Sequence, residues 1–287
     1  MTDHDSTPAH VGVLGGGRMG AGIAHAFLLA GSRVTVVERD VEAAEAASGR
    51  VLASIDASIA RGTATDTADE YRTRFATGTD MELFAACDLV VEAVPEDIAL
   101  KVDALTRVEQ QLSPGATLAS NTSSISIDEL AAVLDRPEHF IGMHFFNPVP
   151  ASTLVEIVRG AATSPTLIDD ARGWVRALGK TPIVVADAPG FASSRLGVAL
   201  GLEAIRMLEE GVATADDIDA AMTLGYKHPV GPLRLTDIVG LDVRLGIAEY
   251  LAAHLGARFE PPALLRRLVA EGHLGRKSGR GFYEWDA

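Results

Sequence analysis

The sequence predicts an α/β fold, with a doubly wound and mostly parallel sheet, followed by an all-α C-terminal domain. Three observations predict it. Short apolar runs alternate with amphipathic stretches over the first two-thirds of the chain, which is the pattern of βαβ units. A glycine-rich segment joins the first apolar run to the first helical stretch. After Pro189-Gly190 the apolar runs end, and we find only helical segments up to Trp285. The predicted domains are residues 8–186 and 187–287.

The predicted elements follow in order along the chain. Apolar runs predict strands at 11–14, 34–37, 88–91, 117–119, 140–143, 154–158 and 183–185. Helical patterns cover 19–30, 41–61, 98–112 and 165–179, the last with Ser164 as its cap and Pro165 in its first turn. The Ala/Thr-rich stretch 57–69 reads as a connection between helices. In the C-terminal domain we expect helices at 194–210, from about 214, at 233–256 and at 262–271.

Composition and charge narrow the function classes. The 287 residues include 25 Lys and Arg against 39 Asp and Glu, a net charge of −14, and 47% are hydrophobic. This composition excludes extensive disorder. The acidic balance argues against nucleic acid and anionic membrane as main partners, because both need a basic surface. Cys87 is the single cysteine, so we expect neither a disulfide framework nor a metal site built on thiolates.

The N-terminal residues show no signal or transit pattern, and no apolar run approaches the ~18 residues that cross a bilayer. We therefore expect a cytoplasmic protein.

A GxGxxG motif, Gly15-Gly16-Gly17-Arg18-Met19-Gly20, follows the first strand and begins the first helix. Glycines allow the tight turn, the approach of a pyrophosphate and close helix packing, and the helix N-terminus attracts phosphate. The motif therefore predicts a dinucleotide site. Glu38 ends the second strand, where a carboxylate accepts ribose hydroxyls and favours NAD. Arg39 leaves NADP open, since a guanidinium can bind a 2′-phosphate.

His144 and Glu156 form a candidate acid–base pair. His144 ends the strand at 140–143, at the edge where parallel sheets bind ligands. Glu156 interrupts an apolar strand, so we expect its carboxylate to be partly buried and in need of a partner. An imidazole would serve, and the carboxylate would orient the ring and raise its basicity. From these residues alone, the alternative of a core histidine and a strand-end charge stays open.

Two further strand ends carry polar residues. Residues 120–124 read Ser-Asn-Thr-Ser-Ser, which is either a site loop or an N-cap cluster for a helix that begins near Ile127. Glu92 ends another strand, where it either caps a helix or reaches a cofactor ribose.

These motifs, in this order and spacing, resemble the NAD-dependent L-3-hydroxyacyl-CoA dehydrogenase family, in particular its 3-hydroxybutyryl-CoA branch. The resemblance extends from about Ala9 to Trp285. It rests on VGVLGGGRMGAGIA, DLVVEAVPED, ASNTSSISIDELA, IGMHFFNPVPASTLVEIV, APGF, GPLRLTDIVGLD and GRKSGRGFYEW. It implies a Rossmann-like NAD-binding domain, a helical C-terminal domain and a homodimer formed mainly through the helices.

By motif match, the resemblance implies that His144 is the general base and Glu156 its orienting carboxylate. Ser123 matches a serine near substrate and nicotinamide. Three more residues match NAD-contacting positions, namely Glu92, Asn147 and Lys277. In the oxidation direction, His144 would remove the 3-hydroxyl proton while a hydride passes from C3 to the nicotinamide.

The chain departs from the family pattern at two places. Ser194 stands where the family has an active-site Asn, and it reads either as a substrate contact or as a helix N-cap. The family's Lys-rich helix segment is here 55–62, IDASIARG, with Arg61 as its one cation. Coenzyme A remains the favoured carrier of the acyl group, with an acyl carrier protein as an alternative.

Other substrates also stay open, namely a 3-hydroxyadipyl-CoA or a sugar acid. A catalytically silent NAD-binding module is the alternative outside the enzymes.

Overall fold

The first part of the chain forms one eight-stranded sheet. The computed structural model describes residues 6–286. Its strands are β1 (His10–Leu14), β2 (Arg33–Val37), β3 (Phe75–Gly78), β4 (Leu89–Glu92), β5 (Thr117–Ser120), β6 (Phe140–Phe145), β7 (Leu154–Arg159) and β8 (Thr181–Ala186). They lie in the order β3-β2-β1-β4-β5-β6-β7-β8. The order reverses direction between β1 and β4, and ligands bind at such a switch point in open α/β sheets.

Every neighbouring pair of strands is parallel except β6 and β7, which are antiparallel. The α/β class with a mostly parallel sheet is therefore confirmed. The antiparallel pair places His144 directly opposite Glu156. This register is what brings the two residues together.

Within residues 6–187, six α-helices accompany the strands: α1 (Arg18–Leu29), α2 (Val41–Ala60), α3 (Ala68–Thr73), α4 (Ile98–Glu109), α5 (Ile127–Ala131) and α6 (Pro165–Ala177). Side chains cap most of their N-termini. Asp40, Asp97 and Ser164 each accept a hydrogen bond from the backbone N–H three residues later. The cap predicted at Ser164 is confirmed. Residues of α1, α2 and α6, such as Phe27, pack into one core cluster with the sheet.

The prediction for the stretch after α2 is incomplete. The chain there forms α3, which Thr67 and Glu70 begin with a capping box, and then β3. Strand β3 is four residues long and lies at the edge of the sheet, beside β2. Its sequence Phe-Ala-Thr-Gly shows no apolar alternation, which is why the strand was missed.

The chain divides into two compact units between Asp187 and Ala188. The second unit holds α7 (Ser193–Glu209), α8 (Ala215–Ala220), α9 (Pro232–Val239), α10 (Leu241–Leu255) and α11 (Ala263–Ala270). Its core includes Leu202, Leu233, Leu251 and Leu265. The single helix predicted over 233–256 is wrong. Gly240 separates α9 from α10 with φ +107°, a conformation that L-residues rarely adopt.

Buried carboxylates anchor the tail of the second unit. Asp237 accepts hydrogen bonds from the N–H groups of Phe282 and Tyr283 and from Trp285 Nε1, at 2.8–3.0 Å. Asp219 accepts from the hydroxyl of Tyr283 at 2.8 Å. Burial, followed by the contact with Asp219, raises the pKa of Tyr283 above its ordinary range. Among residues 6–286, no helix combines the length and apolar character needed to cross a membrane.

Candidate active site

The candidate site lies along the carboxyl ends of β1, β4, β5 and β6. Gly15 follows β1, and its N–H donates to Val37 O at 2.9 Å. Ala93 follows β4 and donates to Leu14 O at 2.8 Å. The loop of residues 120–124, called the serine loop below, begins at the last residue of β5. These segments therefore gather at the switch point of the sheet.

The geometry of the glycine motif fits a dinucleotide. Gly15 has φ +91°, and a Cβ at Gly20 would lie 1.8 Å from Gly15 O, so neither position tolerates a side chain. A Cβ at Gly17 would meet no atom within 4 Å, so this face of the turn is open. Gly17 is the N-cap of α1, and Arg18 and Met19 supply N–H groups of its first turn. An open glycine surface over a helix N-terminus is suited to a pyrophosphate.

Glu38 lies beside this turn. Its Oε1 accepts a hydrogen bond from Gly16 N–H at 2.7 Å, and its Oε2 accepts one from Arg39 N–H at 3.2 Å. Arg39, whose side chain is 84% exposed, pairs with Asp40 at 3.0 Å. The Glu38 carboxylate thus lies at the glycine turn. The Arg39 guanidinium, which left NADP as an alternative cofactor, is paired with Asp40.

The serine loop is organised by Glu96, a residue that the sequence analysis missed. Glu96 Oε1 accepts from Thr122 Oγ1 at 2.7 Å and from Ser123 N–H and Oγ at 2.8 and 3.1 Å. It also accepts from Ser124 N–H and Oγ at 3.1 and 3.2 Å. Burial alone would raise the pKa of Glu96, but Lys101 and these donors together lower it. The cap of α5 is Ser126, so the interpretation of the serine loop as an N-cap cluster is wrong.

Glu92 is placed differently from its prediction. Its side chain is fully buried and accepts from Lys101 Nζ at 2.7 Å and Ser120 Oγ at 2.5 Å. Val94 N–H also donates to it at 2.7 Å. The expectation that Glu92 contacts the cofactor is therefore corrected. A fully buried carboxylate whose oxygens already accept hydrogen bonds presents no surface to a ligand. Lys101, itself 1% exposed, also lies 3.3 Å from Glu96.

His144 and Glu156 form a buried pair. His144 Nδ1 lies 2.8 Å from Glu156 Oε2, and Glu156 is fully buried. An ionised carboxylate can only accept, so Nδ1 carries the proton of this bond and Nε2 is left with the lone pair of the neutral ring. This arrangement fixes the tautomer and the orientation of the imidazole.

The surroundings hold this histidine in place. The ring of Phe146 lies 4.4 Å from the His144 ring, centroid to centroid. Asn121 of the serine loop accepts from Phe145 N–H at 2.9 Å, which ties that loop to β6 beside His144. After a cis peptide bond between Asn147 and Pro148, Lys180 Nζ donates to Val149 O at 2.7 Å and to Ser152 O at 2.5 Å. Asn147 itself is exposed.

Two predicted site residues belong to the second unit. Ser194 lies in the first turn of α7, whose N-cap is Ala192, so the interpretation of Ser194 as the N-cap is wrong. Lys277 pairs with Asp242 at 2.6 Å. Burial alone would raise the pKa of Asp242, but the hydrogen bond and charge of Lys277 and the backbone hydrogen bonds to the carboxylate together lower it.

Comparisons with known proteins cover both units. The family model described as 3-hydroxyacyl-CoA dehydrogenase, NAD binding domain, matches residues 10–188. The model described as 3-hydroxyacyl-CoA dehydrogenase, C-terminal domain, matches residues 190–285.

Full-length relatives agree with these matches. A probable 3-hydroxybutyryl-CoA dehydrogenase of Deinococcus radiodurans is 43% identical over 96% of this chain and 99% of its own. A 3-hydroxybutyryl-CoA dehydrogenase of Bradyrhizobium diazoefficiens is 42% identical over 96% of this chain and 94% of its own. The crystal structure of (S)-3-hydroxybutyryl-CoA dehydrogenase PaaH1 from Ralstonia eutropha matches with a TM-score of 0.93 and 40% identity. That match covers 98% of this chain and 100% of the other.

Proposed function

The chain belongs to the 3-hydroxyacyl-CoA dehydrogenase family, and from this premise we propose how its residues interconvert a short (S)-3-hydroxyacyl-CoA and the 3-ketoacyl-CoA. The protein is an NAD-dependent oxidoreductase. Bound NAD supplies the acceptor for the hydride that leaves C3 of the substrate. The glycine turn, the N–H groups of the first turn of α1 and Glu38 would hold the cofactor.

In the oxidation direction, His144 acts as the general base. Its Nε2 takes the proton of the 3-hydroxyl group, because Nδ1 is already bonded to Glu156. In the reduction direction, the protonated ring returns that proton to the ketone oxygen.

Glu156 supports this step through the ring. Its carboxylate keeps the imidazole in one tautomer and stabilises the positive charge that forms when Nε2 is protonated. Ser123, Ser194, Asn147 and Lys277 are proposed to contact substrate or cofactor, as their motif positions imply. Ser123 is held by Glu96, so we expect its hydroxyl to be well positioned.

The observation that carries this proposal is the 2.8 Å bond between His144 and Glu156, at the sheet edge that also bears the glycine turn. The test is NADH oxidation with acetoacetyl-CoA and longer 3-ketoacyl-CoAs. We expect turnover of a short-chain thioester. Free sugar acids that turn over as well as any thioester would contradict the proposal, as would NADH binding with no turnover of any thioester.

We propose coenzyme A rather than a carrier protein as the group that carries the acyl chain. The proteins similar to this chain are described as acting on CoA thioesters. The experiment compares kcat/KM for one acyl group on coenzyme A and on an acyl carrier protein. A preference for the carrier would overturn this choice.

We propose a homodimer formed through the second unit. Leu196, Val212, Leu224 and Tyr226 are large apolar residues of that unit, each at least 60% exposed. An interface through this unit would remove such side chains from water, which favours association. Light scattering coupled to size exclusion should give twice the chain mass of 30.1 kDa.

A further inference from the structure

Arg50 of α2 is an exposed cation at the glycine turn that the proposed mechanism does not use. Its Nε donates a hydrogen bond to Gly16 O at 3.0 Å. Within residues 6–286, the side chain makes no other hydrogen bond and no ion pair, so both of its Nη groups are open to a ligand. Two other cations of the chain, Lys101 and Arg244, are at most 5% exposed.

Helix α2 packs directly against the glycine turn. A Cβ at Gly16 would lie 2.3 Å from Ala47 Cβ and 3.0 Å from Val36 Cγ1, so there is no room for a side chain at that position. Arg50 follows the buried Ala47 by three residues, and residues at this spacing lie on the same face of a helix. The packing of α2 therefore places the Arg50 side chain beside the Gly16 carbonyl group.

The Gly16 carbonyl group shares a peptide plane with Gly17 N–H. The peptide bond between them is trans, and in a trans peptide the C=O and N–H groups point in opposite directions. Because Arg50 holds the carbonyl group toward α2, Gly17 N–H points away from α2. In the part of the chain that the structure describes, this N–H has no hydrogen-bond partner, and a Cβ at Gly17 would meet no atom within 4 Å.

We propose that Arg50 is a positioning residue for the cofactor, which aims Gly17 N–H at the pyrophosphate and adds positive charge beside it. This inference rests on the proposed function for the placement of the dinucleotide at the glycine turn. An N–H group that already points at the site of an anion needs no reorganisation when the anion binds. The open Nη groups add a second attraction, because a guanidinium donates strong hydrogen bonds to phosphate oxygens.

Two substitutions separate the hydrogen bond from the charge. Arg50→Met removes both the donor and the charge. Arg50→Gln removes the charge but places an amide N–H as many bonds from the backbone as Nε, so it can still donate to Gly16 O. The difference between the two variants therefore measures the orientation of the peptide plane, and the difference between Arg50→Gln and the wild-type protein measures the charge.

The experiment compares ligands that have and lack a pyrophosphate. Dissociation constants are measured by calorimetry for NADH and ADP-ribose, which both carry it, and by competition against NADH for adenosine, which does not. We expect Arg50→Met to weaken NADH and ADP-ribose about tenfold and Arg50→Gln to weaken them about threefold, in the range of one hydrogen bond to a charged group. Adenosine should bind all three proteins equally.

Hydrogen exchange and kinetics give readouts that a general loss of structure would not produce. ADP-ribose should slow exchange of the Gly17 amide in the wild-type protein and slow it much less in Arg50→Met. In the reduction of acetoacetyl-CoA, the KM for NADH should rise about tenfold in Arg50→Met. The kcat at saturating NADH and the KM for acetoacetyl-CoA should stay within about twofold, since the guanidinium does not act on the reacting atoms.

The matched control is Arg107→Met, which makes the same substitution and the same change of net charge. Arg107 lies in the last turn of α4 and pairs with Asp103 at 3.3 Å. Helix α4 begins after the carboxyl end of β4, so its last turn lies away from the edge of the sheet that bears the glycine turn. This variant should leave the dissociation constants of all three ligands unchanged.

Four results would overturn the inference. Arg50→Met could bind ADP-ribose as tightly as the wild-type protein, or Arg50→Gln could bind it as weakly as Arg50→Met, which would leave a role for charge alone. Adenosine could weaken as much as ADP-ribose. The KM for acetoacetyl-CoA could rise while NADH binding stays unchanged, which would assign the guanidinium to the phosphates of coenzyme A. Binding of NADH without turnover of any thioester would instead contradict the proposed function, and the binding comparison would still decide the role of Arg50.

Discussion

His144 and Glu156 face each other across the one antiparallel strand pair of the sheet, with Nδ1 2.8 Å from Oε2. Opposed residues on antiparallel strands have fixed spacing, so the backbone ladder sets the distance between the ring and the carboxylate. The pair is therefore preorganised by the sheet rather than by a loop.

We expect substitutions of His144 and Glu156 to lower kcat to different degrees. We expect His144→Gln to lower kcat roughly 10²–10⁴-fold, because no other group takes the proton. Glu156→Gln keeps a hydrogen-bond acceptor but removes the charge, so we expect a smaller loss of about 10–100-fold. Steady-state kinetics with acetoacetyl-CoA and NADH measure both. Near-normal turnover in His144→Gln would exclude it as the general base.

We expect the conformation of the serine loop to depend on one carboxylate oxygen, Oε1 of Glu96. In Glu96→Ala the serine loop loses its hydrogen bonds to the carboxylate, so we expect faster amide hydrogen exchange at Ser123 and Ser124 and a kcat/KM reduced about tenfold or more. Glu45→Ala, an exposed change on α2, is the control. Unchanged exchange at both amides would show that the loop holds its shape without Glu96.

His25 predicts a dependence of stability on pH. It is buried, with Nε2 2.9 Å from Ser58 Oγ, and burial followed by the charge of Arg61 lowers its pKa below 6.5. The unfolded chain therefore binds more protons than the folded one below about pH 6.5, and the free energy of unfolding should fall as the pH falls. Lowering of the His10 pKa, chiefly by burial, acts in the same direction.

Urea unfolding of wild-type protein and His25→Asn between pH 5 and 7.5 measures this effect. The variant should show a smaller decrease in the free energy of unfolding toward low pH, because Asn does not titrate. Parallel curves would show that His25 is not responsible. His10→Asn gives the separate contribution of the other histidine.

We expect Glu38 to determine the preference of the protein for NAD over NADP. Glu38→Ala removes the acceptor beside the glycine turn and its bond to Gly16 N–H. We expect the KM for NADH to rise about tenfold and the relative rate with NADPH to increase, since a 2′-phosphate no longer meets a carboxylate. Arg39→Ala is the matched control and should leave the KM for NADH nearly unchanged. An unchanged NADH to NADPH ratio in Glu38→Ala would contradict the assignment.

Elements with strong local signals were predictable from the sequence. The glycine motif, the α/β alternation and the burial of Glu156 follow from residue pattern alone, and the structure confirms them. The direction of β7 was not predictable, because a buried strand shows the same apolar pattern in either orientation. The break at Gly240 was also missed, since one glycine in a helical pattern is compatible with a continuous helix.

The positions of Glu92 and Glu96 show a second limit on what can be predicted from the sequence. Both carboxylates fall within five residues after the same apolar run, so the sequence does not indicate which one reaches the surface. The deciding residue is Lys101, nine positions after Glu92, whose ammonium is buried against it. Its place on the buried side of α4 depends on how that helix packs, and a pattern of residues does not specify such packing.

The enclosure of Lys101 and Arg244 bears on how fast ligands reach the protein. The formal charge of −14 already counts these two cations, which are at most 5% exposed and present almost no positive surface to an approaching ligand. An approaching polyanion is therefore repelled at long range by the net negative charge. Dissolved salt screens this repulsion over about 10 Å at 0.1 M. Encounter with the coenzyme should accordingly quicken as ionic strength rises, the reverse of electrostatically steered association.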